Sequence, residues 1–182
     1  NINKLVSASH PIALKKIHNL YQKIIKAKVI KVNSIKVAET AKIFENVQRD
    51  TNIALANELS MICDHLDIDV HELIHLSNQH PRVNILKPSC GVGGHCIAVD
   101  PWFLVSAAPN SAKLIRTARE VNNAKISWVE SKIKDTANQF FKENGKNPLI
   151  GCFGLTFKPN VDDIRESPAK KIVDNLISCG LK

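Results

Sequence analysis

The sequence has no apolar run approaching the roughly 20 residues needed to cross a bilayer. Its first residues, Asn1-Ile2-Asn3-Lys4, form neither a signal peptide nor an initiating methionine. The expectation is a soluble protein with no membrane partner, read from a point inside a longer gene product. Paired cysteines are lacking too: Cys63, Cys90, Cys96, Cys152 and Cys179 are odd in number and scattered through helix-like and strand-like segments. That argues against a disulfide framework and for a reducing cytoplasm. Aromatic residues make up only 5% of the chain. The formal net charge is +8, but Lys15, Lys16, Lys23, Lys26, Lys28 and Lys31 fall around one amphipathic segment with few aromatics between them. A solvated helix face explains them, and no nucleic acid is expected as a partner. Internal repeats and low-complexity tracts are absent.

With 44% hydrophobic and 23% charged residues over 182 positions, the composition is that of a globular protein with a packed core. Lys4 to Ser7 reads as a strand, Pro11 to Ile25 as a helix begun by proline, and Val29 to Val32 as a second strand. From Ser34, a suitable N-cap, to Leu66 there is neither Gly nor Pro. Val37, Ala41, Phe44, Ile53, Ala56, Leu59 and Cys63 recur there at helical spacing, so one long helix is predicted. Asp69 and Glu72 have capping-box spacing ahead of a helix over 70–78 that Pro81 closes. After a loop over 83–100, helical patterns run from Pro101 to about Glu143, and Asn144-Gly145 marks a turn. Leu149 to Leu155 has the length of a strand, and Pro168 to Ser178 reads as a helix. The predicted fold class is mainly α: a complete helical domain over 34–145, flanked by the end of one α/β (Rossmann-like) domain at 1–33 and the start of another at 146–182.

The densest chemical signal is the block Gly91-Val92-Gly93-Gly94-His95-Cys96, followed by Asp100-Pro101. Glycines permit backbone shapes closed to other residues, so amides there can converge on an anion or on an oxyanion beside a nucleophile. Cys96, directly after such a turn and next to His95, is a candidate thiolate. The ordinary alternatives are a small buried hydrophobe for Cys96 and a cap with its N1 proline for Asp100-Pro101. A dinucleotide fingerprint is excluded here, since it requires Gly where Cys96 stands. Lys42, Asn46, Arg49 and Asp50 form a polar stripe on the long helix, which is solvent-facing in the ordinary case and catalytic only if something reactive lies opposite. His71-Glu72-Leu73-Ile74-His75 matches a zinc-hydrolase pattern but lacks its extended form at Asn78 and Pro81, and no metal site is expected. Lys158 and Arg165 sit between a strand-like run and a helix capped by Ser167-Pro168, a natural place for a phosphate. A zinc hydrolase using His71, Glu72 and His75, or a non-catalytic helical dimerisation module, remain the alternatives.

Four phrases, in order, resemble the UDP-glucose/GDP-mannose dehydrogenase family over essentially the whole chain. They are His80-Pro81-Arg82-Val83-Asn84-Ile85-Leu86, the block from Gly91 to Phe103, Leu114 to Asn122, and Phe157-Lys158-Pro159 through Arg165-Glu166-Ser167-Pro168. Within the family they are most similar to the branch acting on UDP-N-acetyl-D-mannosamine. The resemblance implies an NAD-dependent, four-electron oxidation of the C6 alcohol of a UDP-sugar. Residues 1–33 would end the NAD-binding domain, and residues 146–182 would begin the UDP-binding one. Cys96 matches the nucleophile that carries a thiohemiacetal and then a thioester. Lys42 matches the oxyanion-stabilising lysine, Asn46 the residue that positions water, and Asp100 the aspartate associated with hydrolysis. Arg82 matches an arginine reaching the sugar nucleotide of a neighbouring subunit in a homodimer, and Lys87 lies in the substrate loop with Gly91, Gly93 and Gly94. Lys158 matches a substrate-binding residue and Arg165 a residue at the cofactor phosphates. One departure is Pro88-Ser89-Cys90, where the family usually has Pro-Gly; a serine in place of a positive-φ glycine would be strained. The chain alone, without the glycine turn that holds NAD, is expected to be inactive.

Overall fold

A computed structural model describes residues 2–181, which form two compact units divided at Glu45 and Asn46. In the first unit, β1 (Lys4–Val6) and β2 (Val29–Lys31) pair in parallel, Lys4 opposite Val29 and Val6 opposite Lys31, with α1 (Pro11–Ile24) between them in sequence. Pro11 supplies the fixed φ of a first helical turn, and the His10 ring accepts the Ile12 amide. Val6 and Val29 are the buried apolar residues of this unit, and α1 buries none. The Ser34 hydroxyl caps α2 (Ile35–His65) by accepting the Val37 amide, as its position predicted.

The second unit holds the rest of α2, then α3 (Val70–Ser77), α4 (Asp100–Ala107), α5 (Lys113–Asn144) and α6 (Pro168–Ser178). Both α4 and α6 lie against α5. The Asp69 carboxylate caps α3 through the His71 amide, Gly145 closes α5 in the left-handed conformation (φ 67), and the Ser167 hydroxyl caps α6. Two expectations are corrected. The helical stretch predicted from Pro101 to Glu143 breaks at 108–112, because the residue before Pro109 is driven out of helical geometry and the proline offers no amide. Residues 149–155 form no strand: among the described residues of this unit no second strand supplies a ladder, and Leu149 and Phe153 stand 88% and 104% exposed.

The apolar stripe predicted for α2 also needs revision. Val37 and Phe44 are more than half exposed, whereas Ala56 and Cys63 are buried. The buried residues of α2 in the second unit are as much polar as apolar, with Asn46, Asp50, Asn57 and Ser60 beside Val47, Ala54, Ala56 and Cys63. Facing them on α5 are Arg119, Asn122 and Lys125, all at most 4% exposed. Arg119 Nη1 lies 2.6 Å from Asp50 Oδ1, and Asn122 Nδ2 donates to the same oxygen at 2.8 Å and to the Asp50 carbonyl at 3.0 Å. Asn57 Nδ2 donates to Asn122 Oδ1 at 2.9 Å, and Lys125 Nζ to Ser60 Oγ at 2.7 Å. Burial pushes the Asp50 carboxyl up, against the opposing pull of the Arg119 guanidinium and the Asn122 amide. Truncating one partner of a buried ion pair strands the other charge, so Asp50→Ala is expected to lower unfolding free energy by about 3–5 kcal/mol. The paired change Asp50→Leu with Arg119→Met should cost much less than the single one; urea unfolding of the parent and the two variants measures the difference.

Candidate active site

The N-terminal end of α4 brings three of the sequence-selected residues together. The amides of Asp100 and Val99 donate to the Cys96 carbonyl at 2.8 and 3.1 Å, a turn that sets Cys96 immediately ahead of the helix with its side chain exposed. Asp100 is the first residue of α4, and Val99 occupies the cap position without a side-chain bond. The Asp100 carboxylate is therefore not a cap; it accepts from Asn46 Nδ2 at 2.6 Å. Asn46 reaches it from α2 and is 5% exposed, so the stripe read from the sequence splits by facing direction. Asn46 and Asp50 point inward, one turn apart, and Arg49 is exposed. Lys42 belongs to the first unit, exposed and paired with Glu45 at 2.9 Å.

The glycine block lets its loop approach the 157–168 segment. A Cβ on Gly93 would lie 2.6 Å from the Glu166 carbonyl oxygen, 2.7 Å from Phe157 Cβ and 2.8 Å from Pro168 Cδ, so no larger residue fits. Gly94 has a φ of 81, and its amide donates to the Arg165 carbonyl at 3.3 Å. The Gly91 amide donates to Ser89 Oγ at 3.4 Å. In this structure these two amides bond within the protein. The same packing sets Arg165 and Asp163 within electrostatic reach of His95 and Cys96. Asp163 accepts from the Arg165 side chain, Nη2 at 2.6 Å and Nε at 2.9 Å, and from the Arg165 amide. Those hydrogen bonds hold the Asp163 carboxyl down at about 2 and the Arg165 guanidinium above its ordinary value. A phosphate at Arg165 would have to compete with Asp163 for the guanidinium donors.

Lys158 is exposed, its ammonium 5.6 Å from the Phe157 ring centroid. Arg82 and Lys87 are exposed in the loop after α3, with no side-chain hydrogen bond or ion pair to Cys96, Asn46 or Asp100 among the described residues. His71, Glu72 and His75 are exposed on α3; among the described residues no group of three His, Cys, Asp or Glu side chains is placed to hold a metal ion. Ser89 is not among the described non-glycine residues with positive φ, which are Asp67, Asn160 and Glu166, and its hydroxyl donates to the Gly91 carbonyl at 2.8 Å. Serine is thus accommodated without the strain its position raised.

Sequence reasoning did not single out Lys125. Its ammonium lies 3.6 Å from the Trp128 ring centroid and borders a cavity of about 510 Å³ with Cys63, Asp64, His71 and Cys90. Burial lowers its pKa to about 8 against the opposing pull of Asp64 and Cys90. The usable signal was the matched spacing of Asn57 and Ser60 on one helix with Asn122 and Lys125 on another, each pair three residues apart and so on one face.

The model of the UDP-glucose/GDP-mannose dehydrogenase family central domain matches residues 36–124, and that of the family's UDP binding domain matches residues 151–182. A protein of Ralstonia nicotianae named NDP-N-acetyl-D-galactosaminuronic acid dehydrogenase is 51% identical over 175 residues, covering 96% of this chain and 40% of that protein. The UDP-N-acetyl-D-mannosamine dehydrogenase of Campylobacter jejuni is 55% identical over 159 residues, or 87% of this chain and 38% of its own length. The solved structure of a UDP-D-ManNAc dehydrogenase from Pyrococcus horikoshii superposes with a TM-score of 0.86 at 34% identity, over 97% of this chain and 42% of that one. The chain thus spans about two-fifths of the length of these relatives.

Lys125 makes stability depend on pH. Its folded pKa of about 8 lies below the roughly 10.4 of an unfolded lysine. Its contribution is therefore complete above the unfolded value and lost as pH falls from there through about 8. Lys125→Met should flatten this rise, removing up to about 3 kcal/mol of the difference between pH 8 and pH 10.5. Unfolding midpoints of the two proteins across that window measure the effect, and parallel curves would refute it.

Proposed function

The chain belongs to the UDP-glucose/GDP-mannose dehydrogenase family, and from that premise we propose that the protein it forms part of oxidises the C6 alcohol of UDP-N-acetyl-D-mannosamine to the carboxylate. Relatives named for this substrate, 48–55% identical to the chain, support the choice. The oxidant assigned is NAD, two per substrate. Its pyrophosphate requires a glycine turn feeding a helix N-terminus, and the β1–α1 connection, Ser7-Ala8-Ser9-His10, contains no glycine. This connection does not supply that glycine turn, and Arg165 is the contribution to the cofactor phosphates assigned to this chain. Residues 1–33 are read as the end of the cofactor-binding domain, 34–145 as the central domain, and 146–182 as the start of the UDP-binding domain.

This chain supplies the covalent chemistry of the reaction. The Cys96 thiolate adds to the C6 aldehyde left by the first oxidation, forming a C–S bond and an alkoxide that Lys42 stabilises. After the second oxidation the adduct is a thioester. Water then attacks its carbonyl, the C–S bond breaks, the sulfur leaves as thiolate, and Asp100 takes the proton from water. Asn46 orients this base by holding one Asp100 oxygen and leaving the other for water. The observation that carries the reading is the 2.6 Å contact between Asn46 and Asp100, one helical turn from the Cys96 carbonyl. Gly91, Gly93, Gly94, Lys87 and Lys158 are assigned to the substrate, and Arg82 to the sugar nucleotide of a neighbouring subunit. A homodimer through the central helices is consistent with Leu55 and Ile62, about half exposed along α2, and with Leu66 directly after its end. The five free thiols suit a reducing cytoplasm.

In the intact enzyme Cys96→Ala is expected to abolish uronate formation. Asp100→Asn should slow turnover at least about a hundredfold and accumulate a covalent adduct on Cys96. Intact-mass spectrometry with UDP-N-acetyl-D-mannosamine decides this; normal uronate yield from Cys96→Ala would remove the proposal, and faster turnover of UDP-N-acetylgalactosamine would move the substrate. The 182-residue chain alone should neither bind NAD measurably by calorimetry nor produce NADH.

A further inference from the structure

Asn57 is where the helical pair takes hold of the loop that leads to Cys96. It is 0% exposed and can reach no ligand itself. Its Oδ1 accepts the Ser89 backbone amide at 2.7 Å, while its Nδ2 donates to Asn122 Oδ1 at 2.9 Å. Asn122 in turn donates to Asp50, which Arg119 holds. A carboxamide has one donating and one accepting end, and an ionised carboxylate only accepts. Asp50 therefore turns the Asn122 amide toward itself, Asn122 presents oxygen to Asn57, and Asn57 is left with oxygen for an N–H donor. The Ser89 amide is that donor, two residues before Gly91. On its other side the loop is packed against Phe157, Glu166 and Pro168 through Gly93. The loop is thus clamped between a directed hydrogen-bond relay and a close steric contact, and its end presents Cys96.

We infer that Asn57 is a positioning residue for the reaction at Cys96, fixing the 88–94 loop through the Ser89 amide. The inference rests on the reading of Cys96 as nucleophile. Misplacement of a reacting atom by about 1 Å can cost on the order of a hundredfold in rate. Small shifts of this loop are therefore expected to register in kcat.

The test uses the intact enzyme and its UDP-sugar. Ser89→Pro deletes the donor without touching either helix, and Asn57→Leu deletes the acceptor. Each is expected to lower kcat at least about tenfold, and the double variant little further than the more damaging single one, because the contact that both remove is the one between the Ser89 amide and Asn57 Oδ1. Ser89→Ala keeps the amide and should fall less than Ser89→Pro. Amide exchange in peptides covering 88–96, and the rate of Cys96 alkylation by iodoacetamide, should rise in Ser89→Pro while its melting temperature stays close to that of the parent. Multiplicative losses in the double variant, or unchanged exchange and kcat in a folded Ser89→Pro, would overturn the inference. Exchange and alkylation report on the loop even if Cys96→Ala shows that Cys96 is not the nucleophile, so the two failures can be told apart.

Discussion

The buried contact between Asp50 and Arg119 constrains everything built around it. Both side chains are almost fully removed from water, and a carboxylate in that position is tolerated only with its guanidinium opposite. An apolar interface between two long helices can slip by a turn and repack at modest cost. One carrying a charge pair and two carboxamides cannot, because any slip leaves donors and acceptors unpaired at about 1–3 kcal/mol each. Asp50 therefore fixes the register of α5 on α2. Asn46, one turn away on the same face, is placed against α4 by the same register.

The second constraint is steric. The loop carrying Cys96 meets the 157–168 segment so closely at Gly93 that only hydrogen fits, and the Gly94 amide is bound to the Arg165 carbonyl. This packing sets the Asp163–Arg165 pair within electrostatic reach of His95 and Cys96, so charge that acts on the thiol comes from a segment some seventy residues further along the chain. Because Arg165 is paired and exposed, its influence falls with ionic strength, unlike that of the interior relay.

Lys125 extends the polar interface at its far end. With a hydroxyl and an aromatic face as its close partners it carries a cost at neutral pH that no opposite charge in contact offsets, whereas Asp50 and Arg119 offset part of theirs by pairing. The interface thus grades from a buried charge pair near the proposed catalytic residues to a depressed-pKa lysine beside the 510 Å³ cavity.

Much was legible without coordinates, because it depends on short-range geometry. Pro11, Ser34, Asp69, Gly145 and Ser167 mark helix ends through φ preferences and caps that act within a few residues. The block from Gly91 to Asp100 likewise declared itself by composition. Only tertiary structure decided which face of α2 is buried, since Asn46, Asp50 and Asn57 look solvent-directed until α4 and α5 provide partners of matching polarity. It also decided that 149–155 is not a strand, because a strand exists only where another supplies its hydrogen bonds, and that Asp100 serves Asn46 rather than capping α4. Periodicity along one element records that its faces differ; which of them can be buried depends on what lies opposite, and that partner is remote in sequence.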